Sequence, residues 1–215
     1  MAARTRFIAS QRRLGLPLVL ARQPKALEVR LWTRRFSAAR RALTAQERGF
    51  LSNAGFDGPR RAEWVRGRVA AHHLLPAGAS VLSSTSGAPR VVGTRGGSRS
   101  VSVSLSHEGQ ALAVAARVGG PVAVDVVPIA HAARLARVLE RLRPRGAAAA
   151  NPARAWAALE CALKLRGRSI TTVLGLRLGL WRRGDDILVT GVGPTVRVRF
   201  ASAAGVGALV VAVAW

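Results

Sequence analysis

Hydrophobic and polar positions alternate over Ala26–Trp32 (ALEVRLW), which predicts a first strand. Thr44, three residues before Glu47, has the spacing of a capping box, so a helix is expected from there to about Ala54. Phe56–Pro59 carries turn residues, and Arg60–Leu75 reads as an amphipathic helix stopped by Pro76 and Gly78. Ser83–Arg90 reads as a loop and Gly93–Ser98 as a turn. The alternating VSVSL of Val101–Leu105 predicts a strand ending at Ser106-His107, and Ala111–Val118 a second one. Val122–Ile129 is an almost continuous apolar strand, broken only by Asp125. Ala130–Leu142 reads as helical. Asn151 followed by Pro152 opens another helix, expected to run to about Leu165 and stop near Gly167. Strands are expected over 175–181, 187–190, 195–200 and 208–215. Helices and strands occur in both halves of the chain, which argues for an α+β class, and no short repeat is visible.

The 215 residues permit one medium domain or two small ones, and 49% apolar content is enough for a real core. With no Tyr and five Phe, that core must be mostly Ala, Val and Leu. The formal charge of +24 is carried almost wholly by arginine, since only Lys25 and Lys164 are lysines. Such a surface attracts phosphates, nucleic acid, anionic membranes or acidic proteins. The single cysteine, Cys161, excludes an internal disulfide and fits a reducing cytoplasm. No apolar run approaches the ~18 residues of a membrane span. Residues 1–25 read as a basic, weakly structured extension; its apolar stretch Leu14–Ala21 is too short for a signal peptide and leads into more charge.

Three features carry candidate chemistry. Asp125 lies among apolar strand residues, where an isolated carboxylate costs several kcal/mol unless paired or metal-bound; alternatively the strand ends there and Asp125 caps a turn. Trp156, Glu160 and Lys164 stand four residues apart on one helix face. That spacing describes a surface pair worth ~0.3–0.5 kcal/mol, or, in a chain that otherwise uses arginine, a place where a compact point charge is wanted. Ser104-Leu105-Ser106-His107 closes a strand with hydroxyls and an imidazole suited to phosphate, although a histidine at a strand end is commonly just exposed. His72, His73 and His131 show no metal-ligand spacing and read as structural or solvated.

Taken in order, S-x-S-H, an Asp about eighteen residues on, and W-x-x-x-E-x-x-x-K resemble the Sfp-type 4′-phosphopantetheinyl transferases. The resemblance runs from about Ala26 onward and includes Leu43–Arg48 (LTAQER), Gly67-Arg68 and the G-x-P turn Gly87-Ala88-Pro89. It implies a pseudo-dimer of two similar α+β halves, 26–118 and 119–215, with a coenzyme A site in the cleft between them. It also implies holo-acyl-carrier-protein synthase chemistry. A serine of an acyl or peptidyl carrier attacks the pantetheine-side phosphate of coenzyme A, and 3′,5′-ADP leaves. By the resemblance, Asp125 and Glu160 hold Mg2+, Glu160 is also the general base, and Lys164 stabilises the leaving phosphate. Arg68, Gly87, Ala88, Pro89, Ser106 and His107 match coenzyme A contacts, while Trp156 positions the helix. The implied protein is a cytoplasmic monomer with an acidic carrier as partner.

Several positions depart from the family pattern. Ala123 and Val127 replace a Gly and a second acid around Asp125, Leu159 replaces a Lys, and Ala88 replaces a Lys that Arg90 stands near. These departures motivate a second reading, a non-catalytic relative that binds coenzyme A or carriers only. Charge alone motivates a third, nucleic-acid binding. Against it, the arginines are spread along the sequence rather than set among aromatic residues, and no nucleic-acid motif is present.

Overall fold

The computed structural model describes residues 16–18, 20, 24, 26–33, 40–84, 87–93, 100–146, 150–201 and 208–215. Most of the expected N-terminal extension, and the turn expected over Gly93–Ser98 apart from Gly93, lie outside the described residues. The chain divides into two compact units, one of Met1–Pro17 and Lys25–Gly120, the other of Leu18–Pro24 and Pro121–Trp215. Each is a layer of helix on antiparallel sheet, so the class is α+β.

In the first unit a four-stranded sheet has the order β1-β2-β6-β5, from Leu16–Pro17, Leu27–Trp32, Ala111–Val118 and Val101–Glu108. Helices α1 (Ala45–Asn53) and α2 (Gly58–Ala71) follow β2. Thr44 caps α1 through the complete capping box that its spacing to Glu47 predicts. Asp57 caps α2, so Gly58 and Pro59, read as turn, instead form its first turn, where a proline costs no hydrogen bond. The loop expected over Ser83–Arg90 is also corrected. β3 (Ser80–Ser83) and β4 (Pro89–Val92) pair as a hairpin, and Gly87 lies in its turn with positive φ. Leu16–Pro17, within the stretch expected to be a weakly structured extension, pair with Leu31 and Arg30, and Leu18 and Leu20 beyond them are buried. Trp32, Ala70, Ala71, Val81, Val103, Leu112 and Val114 form one core cluster; Leu43, Leu51, Trp64 and Val65 form a second, between helices. Gly67 lets α2 approach the sheet closely, because a Cβ there would stand 3.2 Å from Leu105 Cδ2.

The second unit has the sheet order β7-β11-β10-β9-β8, from Ala123–Pro128, Leu209–Ala214, Val196–Ala201, Asp186–Thr190 and Gly179–Arg183. A 3-10 turn at Ile129–His131 precedes α3 (Ala132–Leu142), and α4 (Pro152–Leu165) opens at Asn151, whose side chain accepts from Arg154 N–H. Helix α4 carries a run of small residues, and Ala155, Ala157, Ala158 and Ala162 let it sit tightly on the sheet without bulky side chains. The strand expected over 175–181 begins only at Gly179, after a 3-10 turn at Ile170–Val173.

Candidate active site

Strand alternation puts Ala123, Asp125 and Val127 on the helix-covered face of β7. Asp125 is therefore buried inside a strand and paired in register with Ala212 of β11, not capping a turn. Helix α4 crosses this face and brings its polar side, Glu160 and Lys164, to the same carboxylate. Lys164 Nζ donates to Asp125 Oδ1 at 2.8 Å and to Val124 O at 3.0 Å. The Glu–Lys spacing on α4 thus belongs to a partly buried cluster and not to a solvated surface pair.

The charges of this cluster act on one another. Burial pushes Glu160 above the ordinary carboxylate range, the charge of Asp125 pushes it further, and Lys164 opposes both. No described residue gives Glu160 a hydrogen bond. Burial alone would lower Lys164, but the charge and hydrogen bond of Asp125, with contributions from Cys161 and Glu160, outweigh it and hold the ammonium above its ordinary value. Cys161, on the core side of α4, donates to Ala212 O; burial and then the Asp125 charge push its thiol well up, so it stays a neutral packing residue.

Two carboxylates with a cation beside them are a donor set for Mg2+, which takes one or two carboxylates and completes its shell with phosphate oxygens and water. Among the described residues no three His, Cys, Asp or Glu side chains group where they could hold a metal ion. The raised proton affinity of Glu160 beside Asp125 marks negative charge that a further cation would relieve. Of the departures, Leu159 and Val127 both belong to the apolar core, so their apolar character follows from their positions.

The first unit holds a second cluster. A pocket of about 450 Å³ is lined by Phe56, Arg60, Glu63, Trp64, Arg68, Ser83, Gly87 and His107 among others. Arg68, near the end of α2, donates from Nε to Val81 O (3.1 Å) and from Nη2 to Ser83 Oγ (2.9 Å), with its guanidinium 4.2 Å from the Trp64 ring centre. Burial brings its pKa down to about 10, Glu47 opposing, so it remains a cation at neutral pH. His107 Nε2 lies 3.7 Å from Glu63 Oε2. Ser106 faces the other side of β5 and is buried, so it does not share the pocket with His107. Ala88 and Pro89 follow Gly87 in the hairpin and are not part of the pocket lining.

The resemblance implies a single coenzyme A site for Arg68, Gly87, His107, Asp125, Glu160 and Lys164; the structure groups the first three around a pocket of the first unit and the last three in a cluster of the second. Sequence reasoning missed Glu63, Trp64 and Ser83, although Trp64 stands four residues before Arg68 on the same helical face. No family model matches this chain, and no curated protein does. Among the described residues no helix is long and apolar enough to cross a membrane.

Proposed function

We propose that the protein transfers 4′-phosphopantetheine from coenzyme A to a serine of an acyl or peptidyl carrier. The observation that carries this reading is that Asp125 meets Glu160 and Lys164 of a helix far along the chain, with the lysine bonded to the aspartate at 2.8 Å across 39 residues. Asp125 and Glu160 would hold a magnesium ion, which supplies charge neutralisation at a pyrophosphate. Glu160, its affinity for protons raised by burial and by Asp125, takes the proton of the attacking serine hydroxyl. Lys164, kept cationic, stabilises charge on the departing phosphate. Arg68 offers a cation and His107 an imidazole in one pocket, which suits the nucleotide phosphates of coenzyme A.

The same reading makes the two units versions of one plan, a pseudo-dimer. In each, one strand, β2 or β7, leads to two helices and then pairs antiparallel with the last strand of the unit, β2 with β6 and β7 with β11. It also makes the protein a cytoplasmic monomer. The test is to mix the protein with coenzyme A, magnesium and a panel of apo carriers, and to weigh the carriers. A phosphopantetheine mass gain that Glu160→Gln abolishes is expected; no gain on any carrier overturns the proposal.

One observation favours a second reading, coenzyme A binding without turnover. Val127, on the strand face of Asp125, is packed in the core and supplies no oxygen to a metal. That reading requires coenzyme A to bind while every carrier stays unmodified.

A further inference from the structure

The sheet of the second unit buries one face under its helices, and β8–β10 show what the other face carries. Leu180, Ile187, Val189, Val196 and Val198 enter the core, so Trp181 and Arg183 of β8, Asp186 and Leu188 of β9, and Arg197 and Arg199 of β10 point the opposite way. Register aligns Trp181 with Leu188 and Leu188 with Arg197 in one row, and Arg183 with Asp186 in the next.

Trp181 is 47% exposed, yet it is seated. Its indole lies back over Gly179, where any Cβ would overlap the indole Nε1 and Thr190 Oγ1, and its Cε3 stands 3.2 Å from where a Cβ of Gly146 would be. Two positions without side chains thus make room for one large apolar ring on an open sheet surface. The one acid of these rows, Asp186, is 2.8 Å from Arg197 Nε and 3.6 Å from Arg199 Nε, and Arg199 also lies over the Trp215 ring. Three guanidinium groups, Arg183, Arg197 and Arg199, against Asp186 and the exposed turn residue Asp185 leave the face with a small net positive charge.

An apolar centre with a cationic rim, built from Trp and Arg, is the composition of a protein-binding hot spot. A chain of charge +24 repels a second copy of itself and attracts acidic partners. Leu188 in the middle of the row favours a protein over single-stranded nucleic acid, which needs successive aromatic rings to stack its bases. We propose that this face, Trp181 and Leu188 with Arg183 and Arg197, is where the acidic carrier domain docks. The inference rests on the transferase reading and adds to it the surface that selects the protein substrate.

The experiment measures transfer kinetics with an acidic apo acyl carrier protein, and dissociation constants for that carrier, coenzyme A and a single-stranded oligothymidylate, for the full chain and for Trp181→Ala and Arg183→Glu. Expected for both variants is a KM and dissociation constant for the carrier raised about tenfold or more, with kcat and coenzyme A affinity unchanged. Transfer with an unchanged carrier KM in both variants overturns the docking surface and leaves the transferase reading standing. Loss of oligothymidylate affinity in Trp181→Ala with carrier affinity intact assigns the face to nucleic acid and also overturns it. A wild-type chain that modifies no carrier overturns both readings together.

Discussion

Glu47 in the first unit and Glu160 in the second are both helix carboxylates turned towards a sheet, and they have opposite fates. Glu47 has no exposed surface. It accepts hydrogen bonds from Thr44 N–H at 2.9 Å, Val81 N–H at 2.7 Å and His72 Nε2 at 2.9 Å. Burial would raise it, but those three donors and the charge of His72 outweigh burial and hold it below the ordinary carboxylate range. Glu160 has another carboxylate for a neighbour, receives no hydrogen bond from a described residue, and is pushed up. Burial alone therefore does not mark a reactive acid. A carboxylate whose acceptor positions are filled by backbone and imidazole donors holds α1, α2 and β3 together; one left with unfilled positions is available to a proton or a cation.

That contrast can be broken by experiment. The largest effect is expected for Glu160→Gln on transfer, a loss of about 10²–10⁴-fold in kcat with the far-ultraviolet dichroism unchanged, since it removes a general base and a metal ligand together. Retained activity would show that Glu160 is not the base. Glu47→Gln should do the reverse, lowering unfolding free energy in urea by roughly 3 kcal/mol because buried donors lose their acceptor. Lys164→Met should cost about 2–4 kcal/mol in the same measurement by leaving Asp125 buried without its cation.

The pH dependence of melting sharpens the comparison with a smaller effect. Folded Glu160 holds its proton more tightly than the unfolded chain does, so ionising it costs stability as pH rises above the ordinary value of 4.5. Glu160→Gln is expected to melt above wild type at neutral pH, with the gain vanishing below about pH 4. Glu47 has the opposite sign. Its contribution is complete above 4.5 and is lost as pH falls through its lower folded value, and Glu47→Gln should lose its deficit in acid. Smallest of all is Gly67→Ala, where better helix propensity, about 1 kcal/mol, is offset by the 3.2 Å approach to Leu105; a change within about 1 kcal/mol of zero is expected.

Much of this was legible in the order of residues. The capping box at Thr44, the Asn-Pro opening of α4 and the strand Ala111–Val118 rest on local rules, and local rules describe them correctly. The hairpin β3–β4 was not legible. Its strands are four residues each, with Gly87 and Ala88 in the turn between them, and they form because α1 and α2 supply Glu47 and Arg68 as partners for Val81 and Ser83. Asp125 was ambiguous for a related reason. Only the register of β7 against β11 and the crossing of α4 decide that it lies inside a strand facing Lys164. Among the described residues four arginines also lie over aromatic rings, Arg60 on Phe56, Arg68 on Trp64, Arg154 on Phe200 and Arg199 on Trp215. The first two pairs stand four residues apart and could be read from the sequence; Arg154 on Phe200 and Arg199 on Trp215 could not, because they join different elements.

The pairing of β7 with β11 sets a kinetic condition. Ala123 opposes Ala214 in that ladder, so the strand carrying Asp125 closes a loop of about ninety residues when it acquires its neighbour. High contact order makes such closure slow. On the ribosome the second unit must wait until β11 has emerged, with Val124, Val126 and Val127 exposed meanwhile, and truncation before Leu209 should divert it towards aggregation.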